Sequence, residues 1–425
     1  MKPVDKLRAH SAEFAKTVFN VADGVYTAVG YAASNSSMIV GNNGIIIIDT
    51  TESTGAASNI LAEFRKITDK PVHAIIYTHG HRDHISGASV FAEGGEPEIY
   101  ARANLAIELA EGDDRPYPMK LMIARTKRQF GIGLEYDTER INLGLGPGDR
   151  PVEGLGQGFL PPTNWIEDDR LDLEICGVPL SLIAAPGETE DHLVVWREKD
   201  RVLFSGDNYY KSFPNLYAIR GTKYRDFDVW ADTLDTLIAL DPLMLVPGHS
   251  RPLLEADSIA SVLEDYRDAI RHIVAKCAEG MNLGLTPDEL VDYVQLPKEL
   301  ADRPFLQEYY GTVAWAVRAY FSGTVGWFDG NPTNLFPLGP SEEALRIAKL
   351  VGGPEALAAQ MEMAANDGDF QWALQLADRV TRLDGYRDRA IKVKKNALLA
   401  LAEDQMNATA RNYFISVAKE LDIDT

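Results

Sequence analysis

At 425 residues the chain is longer than one hydrophobic core usually fills, so two domains are expected. Its 45% apolar and 25% charged residues are the balance of an ordinary globular protein and exclude a disordered or fibrous chain. A formal net charge of -21 argues against nucleic acid or an anionic membrane as partner, so an anionic ligand must be caught by a local basic patch.

The opening Met1-Lys-Pro-Val-Asp-Lys-Leu-Arg8 holds no apolar stretch of signal-peptide length. No later run approaches the roughly 18 apolar residues of a membrane span. A cytoplasmic protein is expected, or a periplasmic one if a leader has been removed. Cys176 and Cys277 stand outside any ligand-spaced cluster and read as small buried side chains.

Up to about Pro252, short β-branched runs alternate with turns and helical segments. Residues 45–48 end at Asp49, and residues 74–77 end at Thr78 and His79. Residues 180–183 run toward Pro186-Gly187, with a further apolar run at 193–196. Residues 202–204 lead to Gly206-Asp207, and 243–246 lead to Pro247-Gly248-His249. Such runs, bounded by Gly, Pro and Asp, read as buried strands. Several deliver a His or Asp just past the carboxyl end, where α/β sheets place their chemistry, which predicts one assembled site. Residues 112–168 are rich in Gly, Pro and charge, with Gly144-Leu-Gly-Pro-Gly148 near the middle. They read as a long loop that walls or covers a pocket.

From about Glu255 the apolar spacing turns helical, over residues 259–278, 287–294, 308–321, 342–351, 356–366, 370–383 and 387–421. Alanines at close-contact positions suggest a small helical-repeat or dimerisation module, although no fixed period emerges. The expected division is a catalytic domain over 1–255 and an all-α domain over 256–425.

Five of the eight histidines belong to one constellation. His79 and His81 are two apart on a loop leaving an apolar strand, with Asp83 and His84 following at once. Alternate residues of an extended segment point the same way, so His79 and His81 can grip one ion. Asp83 and His84, past the bend, then face a second. Imidazole and carboxylate suit zinc, with iron and manganese as lesser fits. Asp49 is placed to orient a ligand histidine, or to serve simply as a turn residue.

The motif His79-Gly-His81-Arg-Asp83-His84, followed in order by His192, Asp207 and His249, resembles the metallo-β-lactamase superfamily. The resemblance implies an αββα sandwich of α/β class. Carried over position by position, His79, His81 and His192 bind the first of two zinc ions, Asp83, His84 and His249 the second, and Asp207 bridges them. Two metals so placed imply hydrolysis of an ester-like bond by a metal-bound hydroxide, with Asp83 and Asp207 at the catalytic centre.

Within that superfamily, Pro214-Asn-Leu-Tyr-Ala-Ile-Arg-Gly-Thr-Lys-Tyr-Arg-Asp226, Tyr309-Tyr-Gly-Thr312 and Trp327-Phe-Asp-Gly-Asn-Pro332 resemble the alkylsulfatase branch, over about residues 18 to 421. The resemblance implies an alkyl or aryl sulfate ester as substrate and a homodimer formed through the helical domain. It also makes Asn215 and Arg220 the sulfate binders. The residues support that role independently: Arg220, Lys223 and Arg225 form a basic knot in an acidic protein, and a guanidinium fork matches a tetrahedral anion. Arg220 is thereby also a catalytic candidate, since cationic stabilisation of departing sulfate plus a positioned nucleophile would largely suffice for such a leaving group. Phe130, Phe159, Trp165, Tyr209, Tyr210 and Phe213 are candidates for an alkyl groove, though each alone reads more simply as core.

Two departures from the family pattern stand out. Alkylsulfatases usually carry Glu where His192 and Asp207 stand, and they commonly continue into a sterol-carrier-like domain. The second departure suggests a short or branched alkyl chain. The nearest rival keeps the metals but changes the substrate to a lactone, thioester, phosphoester or β-lactam. A rival of another class is a helical interaction protein with an inactive metal domain, against which the complete ligand set argues.

Overall fold

The computed structural model of the chain describes residues 2–105 and 118–422. Residues 112–117 of the expected pocket loop therefore lie outside the described residues. The rest of that stretch is less of a loop than its composition suggests. It includes the helix Met119–Gln129 and a short strand, Asn164–Ile166.

Two sheets form the larger compact unit, residues 10–119 and 142–324. The first has seven strands in chain order: β1 (Thr17–Ala22), β2 (Val25–Val29), β3 (Ser36–Val40), β4 (Ile45–Ile48), β5 (Val72–Ile76), β6 (Glu98–Arg102) and β7 (Asn164–Ile166). Pairing is antiparallel from β1 to β4 and parallel from β4 to β7. The second sheet holds β8 (Arg170–Ile175), β9 (Val178–Ala184), β10 (Leu193–Arg197), β11 (Val202–Gly206) and β12 (Met244–Pro247), in the order β12-β11-β10-β9-β8.

Ile39, Ile46, Ile48 and Ile76 of the first sheet share a buried cluster with Leu180, Leu182, Val195, Phe204 and Val246 of the second. Alternation along each strand turns the remaining side chains outward, where helices cover them. Ile45, Ile47 and Ile75 meet Ile60 and Phe64 of the helix Thr54–Phe64. Val194, Trp196 and Leu203 meet Trp230, Leu234 and Leu237 of the helix Phe227–Ala239. Helix, sheet, sheet and helix are thus stacked, as expected.

The compact units do not divide at 255/256. The helix Ala256–Asn282 buries Leu263, Tyr266, Ile270 and Ile273 in the same cluster as Trp230 and Leu234, and Val317 and Phe321 join it from the helix Val313–Val325. Its apolar stripe is long enough to finish the outer layer of the sandwich, so this segment belongs to the sheet-containing unit. The other unit comprises residues up to 9, residues 120–141 and those from 325 onward. Its core rests on small side chains, Ala344, Ala348, Ala358, Ala373 and Ala377, around Leu357, Met361 and Leu376, which let helices approach closely. The expected continuous helix over 387–421 is two, Arg387–Glu403 and Ala408–Glu420. Asn407 caps the second by accepting the Ala410 N–H.

His10 gives the sheet-containing unit an acid sensitivity. It is buried, its ring stacks on Tyr309 at 3.9 Å, and Nε2 donates to the Gly144 carbonyl at 2.9 Å. Burial lowers its pKa from 6.5 to about 4, against the opposing pull of the Gly144 hydrogen bond and Glu13. With the folded pKa below the unfolded one, the unfolded chain takes up the proton first. Stability is therefore full above about pH 6.5 and falls by up to about 3 kcal/mol as pH drops toward 4. His10→Gln should flatten this part of the melting-temperature profile, and an unchanged slope between about pH 7 and 4 would contradict it.

Candidate metal centre

The strand ends converge. Asp49 follows β4, Thr78 and His79 follow β5, Glu188 follows β9 within four residues, Asp207 follows β11, and His249 follows β12. Tight backbone turns let them meet. A Cβ on Gly248 would lie 2.3 Å from Asp207 Oδ1, so only glycine fits there. Gly206 takes a positive φ of 50°, and a Cβ on it would strike the His192 ring at 2.5 Å.

Two groups of ligand atoms result. His79, His81, Glu188 and Asp207 form one, and Asp83, His84 and His249 the other. In the first, His79 Nε2 lies 2.9 Å from His81 Nδ1, 3.8 Å from Asp207 Oδ2 and 3.9 Å from Glu188 Oε2. In the second, Asp83 Oδ2 lies 3.6 Å from His84 Nε2 and 3.5 Å from His249 Nε2. Asp207 reaches both groups, with Oδ1 3.4 Å from His84 Nε2 and Oδ2 3.1 Å from His249 Nε2. These separations bracket the roughly 3.3 Å edge of a tetrahedron with zinc-length bonds.

Ring orientation is set from behind. Asp49 Oδ2 accepts from His84 Nδ1 at 2.7 Å while Oδ1 accepts the Thr78 N–H at 2.8 Å. The Thr78 hydroxyl lies 3.0 Å from His79 Nδ1, and His249 Nδ1 donates to the Ala33 carbonyl at 2.7 Å. His79, His84 and His249 thereby present Nε2 to the centre. Burial, followed by the charge of His84, holds His79 well below the usual imidazole range and keeps it a neutral donor. For Asp207, burial alone would raise the pKa, but His249 and His84 hold it well below the carboxylate range.

Buried polar atoms test whether cations fit. His84 Nε2, Glu188 Oε2 and Asp207 Oδ1 are buried and find no hydrogen-bond partner among the described residues. Such atoms cost about 1–3 kcal/mol each if left so, and a cation would satisfy all three. Imidazoles and carboxylates in these numbers fit divalent ions of the zinc class.

The geometry corrects the sequence-based ligand set at one position. His192 belongs to neither group. Its Nε2 accepts the Asp207 N–H at 3.0 Å, its Nδ1 lies 3.2 Å from the Asn208 amide, and its ring stacks on His79. Glu188, four residues earlier and missed from sequence, takes the place beside His79 and His81. It is the first residue after Pro186-Gly187, and the strand-exit pattern that locates the other ligands points to it. His192 instead lies immediately before β10, behind the centre.

The basic knot is also divided. Arg220 stands at the centre, with Nη2 3.4 Å from His81 Nε2. A cavity of about 400 Å³ opens beside it, lined by His81, Glu188, Arg220, Lys223 and, on its apolar side, Met119 and Val229. Arg225 also lines the cavity, but its side chain is almost wholly buried, with Nη1 donating to Glu188 Oε1 and to the Asn215 carbonyl. Asn215 is buried too, its N–H donating to the Tyr210 hydroxyl at 2.7 Å, and it does not line the cavity. None of the six aromatics expected to form an alkyl groove is among the described residues that line this cavity. Tyr209, Tyr210 and Phe213 are fully buried, Phe159 packs beneath the first sheet, and Trp165 and Phe130 lie elsewhere.

The fold and this double cluster define a class that known proteins share. A family model described as the metallo-beta-lactamase superfamily matches residues 29–249, and one described as alkyl sulfatase dimerisation matches residues 286–423. The chain belongs to the metallo-β-lactamase superfamily, in its alkylsulfatase branch of sulfuric ester hydrolases. It is 38% identical to a linear primary-alkylsulfatase of a Pseudomonas species, over 91% of this chain and 73% of that protein. An alkyl/aryl-sulfatase of Saccharomyces cerevisiae is 28% identical over 95% of this chain, and an (R)-specific secondary-alkylsulfatase of Pseudomonas is 28% identical over the same share. The chain spans 64% and 62% of those two proteins, less than two thirds. The solved structure of a stereoselective inverting sec-alkylsulfatase from Pseudomonas superposes with a TM-score of 0.86 at 26% identity, over 96% of this chain and 65% of that one.

Proposed function

We propose that the chain hydrolyses alkyl or aryl sulfate esters to an alcohol and inorganic sulfate, with two zinc ions held by His79, His81, Glu188, Asp83, His84 and His249 and shared through Asp207. The observation that carries this reading is the position of Arg220, a guanidinium at the edge of a two-group metal centre and at the wall of the adjoining cavity. When bound, the ions supply a water acidified toward neutral pH and positive charge for an ester oxygen.

The chain's own residues do the rest. Arg220, with Lys223 beside it on the cavity wall, binds the sulfate oxygens and orients the ester toward the centre. As sulfate departs, charge grows on those oxygens, and a fixed guanidinium stabilises it without reorganisation. Arg225 acts one step back by holding Glu188 in place. Met119 and Val229 offer an apolar surface to the alcohol part of the substrate.

Sulfate release from hexyl to dodecyl sulfates, a secondary octyl sulfate and phenyl sulfate tests the reading. Release should vanish on chelation and return with zinc. No release from any of them by metal-loaded protein would remove the sulfatase assignment. Arg220→Ala should lower kcat/KM on the best sulfate by about 10²–10³-fold and spare a neutral lactone. Equal losses on both substrates would argue against a dedicated sulfate pocket.

The same reading includes a homodimer formed through the helical part. Phe336 is 95%, Leu350 85% and Trp327 74% exposed, unusual for large apolar side chains left to water. Among the described residues, no helix is long and apolar enough to cross a membrane.

A further inference from the structure

The loop that follows β4 does more than place Asp49. Asp49 and Thr51 both take positive φ, 57° and 70°, a conformation that costs a non-glycine residue about 1–3 kcal/mol. Such strain persists only where surrounding contacts fix it. The consequence is that Glu52, three residues after Asp49, turns inward and is buried. Glu52 Oε1 accepts the Ala33 N–H at 3.0 Å and forms an ion pair with Arg150 Nε at 2.7 Å, both side chains being more than nine-tenths buried.

Ala33 is the residue whose carbonyl accepts from His249 Nδ1. It is gripped on a second side by Gly146 of the Gly144-Leu-Gly-Pro-Gly148 stretch, where a Cβ would lie 2.5 Å from the Ala33 oxygen. Its neighbours hold the same region. The Ser34 hydroxyl donates to the Asp83 carbonyl, and the Asn35 amide donates to the carbonyls of Pro247 and Ser250 at 2.9 and 2.7 Å.

We propose that Glu52, held by Arg150, is a positioning residue for the second metal group: it fixes Ala33 so that the Ala33 carbonyl locks His249 with Nε2 toward the ion. One loop would then orient both imidazoles of that group, His84 directly through Asp49 and His249 indirectly through Glu52 and Ala33. The effect is selective, because no comparable link runs from Glu52 to His79 or His81 among the described contacts. The inference rests on the two-ion reading given above.

The test is chelator competition on the full chain, giving separate dissociation constants for the two zinc ions, with the spectrum of the cobalt-substituted protein as a second readout. Glu52→Gln keeps an acceptor but leaves Arg150 buried without its anion, so the double variant Glu52→Gln/Arg150→Met is measured alongside it. The expected result is a second ion held about 10-fold more weakly, within the range typical of partners behind a ligand, while the first keeps its affinity. A matching change in the cobalt bands should accompany it. Unchanged affinities in a folded variant, or equal weakening of both ions, would overturn the proposal. Loss of the folded state in both variants would also overturn it, by assigning the pair to the fold. Wild-type protein that binds fewer than two ions would instead overturn the two-ion reading, so the two failures are distinct.

Discussion

Replacing Asp207 with alanine should abolish turnover, lowering kcat/KM on an alkyl sulfate by on the order of 10³-fold or more and reducing bound metal below two ions. Asp207 is a carboxylate that reaches both groups, with Oδ1 near His84 and Oδ2 near both His249 and His79. Its removal leaves three imidazoles deprived of the same counter-charge. On the two-ion reading it would also remove the carboxylate that both groups share. His192→Asn provides the contrast. His192 supplies no atom to either group, touching instead the Asp207 backbone, Asn208 and the face of the His79 ring, so this variant should keep its metal and lose no more than about 10–100-fold in rate. Metal analysis of purified protein separates the two cases. Retention of two ions by the Asp207 variant would remove Asp207 from the ligand set, and loss of metal in the His192 variant would return a ligand role to His192.

Arg225→Met should destabilise the metal-free sheet-containing unit by about 3–5 kcal/mol. The Arg225 and Glu188 side chains are 2% and 3% exposed, so the substitution strands a carboxylate in a buried site. It also removes the donor to the Asn215 carbonyl. The double variant Glu188→Gln/Arg225→Met removes both charges and should recover most of that loss, because replacing a whole buried pair is far less costly than breaking it. It should not recover activity, since Glu188 belongs to the ligand cluster. Urea unfolding of metal-free protein measures the difference. A loss near zero for Arg225→Met alone would show that Glu188 is neutral or solvated, contrary to the geometry.

These substitutions mark where local sequence stopped being informative. The spacing of His79, His81, Asp83 and His84 reveals a metal motif because those residues lie on one turn, and each side-chain direction follows from neighbouring backbone. Short apolar runs reveal β4, β5 and β9 to β12 because each is a nearly continuous buried strand. Strand β3 starts with Ser36-Ser37 and escapes that reading. These serines are buried because the Ser36 hydroxyl donates to the Asp49 carbonyl and the Ser37 hydroxyl to Thr27 across the β2–β3 pair, partners only the folded sheet provides.

The choice between Glu188 and His192 was likewise tertiary. Both lie in the β9–β10 connection, and both residue types bind metal. Which one faces the centre depends on where the chain leaves β9 and on what already occupies the space near His79. The three cations of the basic knot look equivalent in sequence and all line the cavity, yet burial pairs Arg225 with Glu188 while Arg220 stands beside His81. The sequence by itself determined the buried strands and the His79–His84 motif, because periodicity and short-range spacing are local, and it carried the resemblance that implies the sandwich and the family. Only the tertiary structure decided that Glu188 rather than His192 joins the cluster, that Arg225 pairs with Glu188, and where the sheet-containing unit ends. Those depend on which side chains reach the same buried volume from distant parts of the chain.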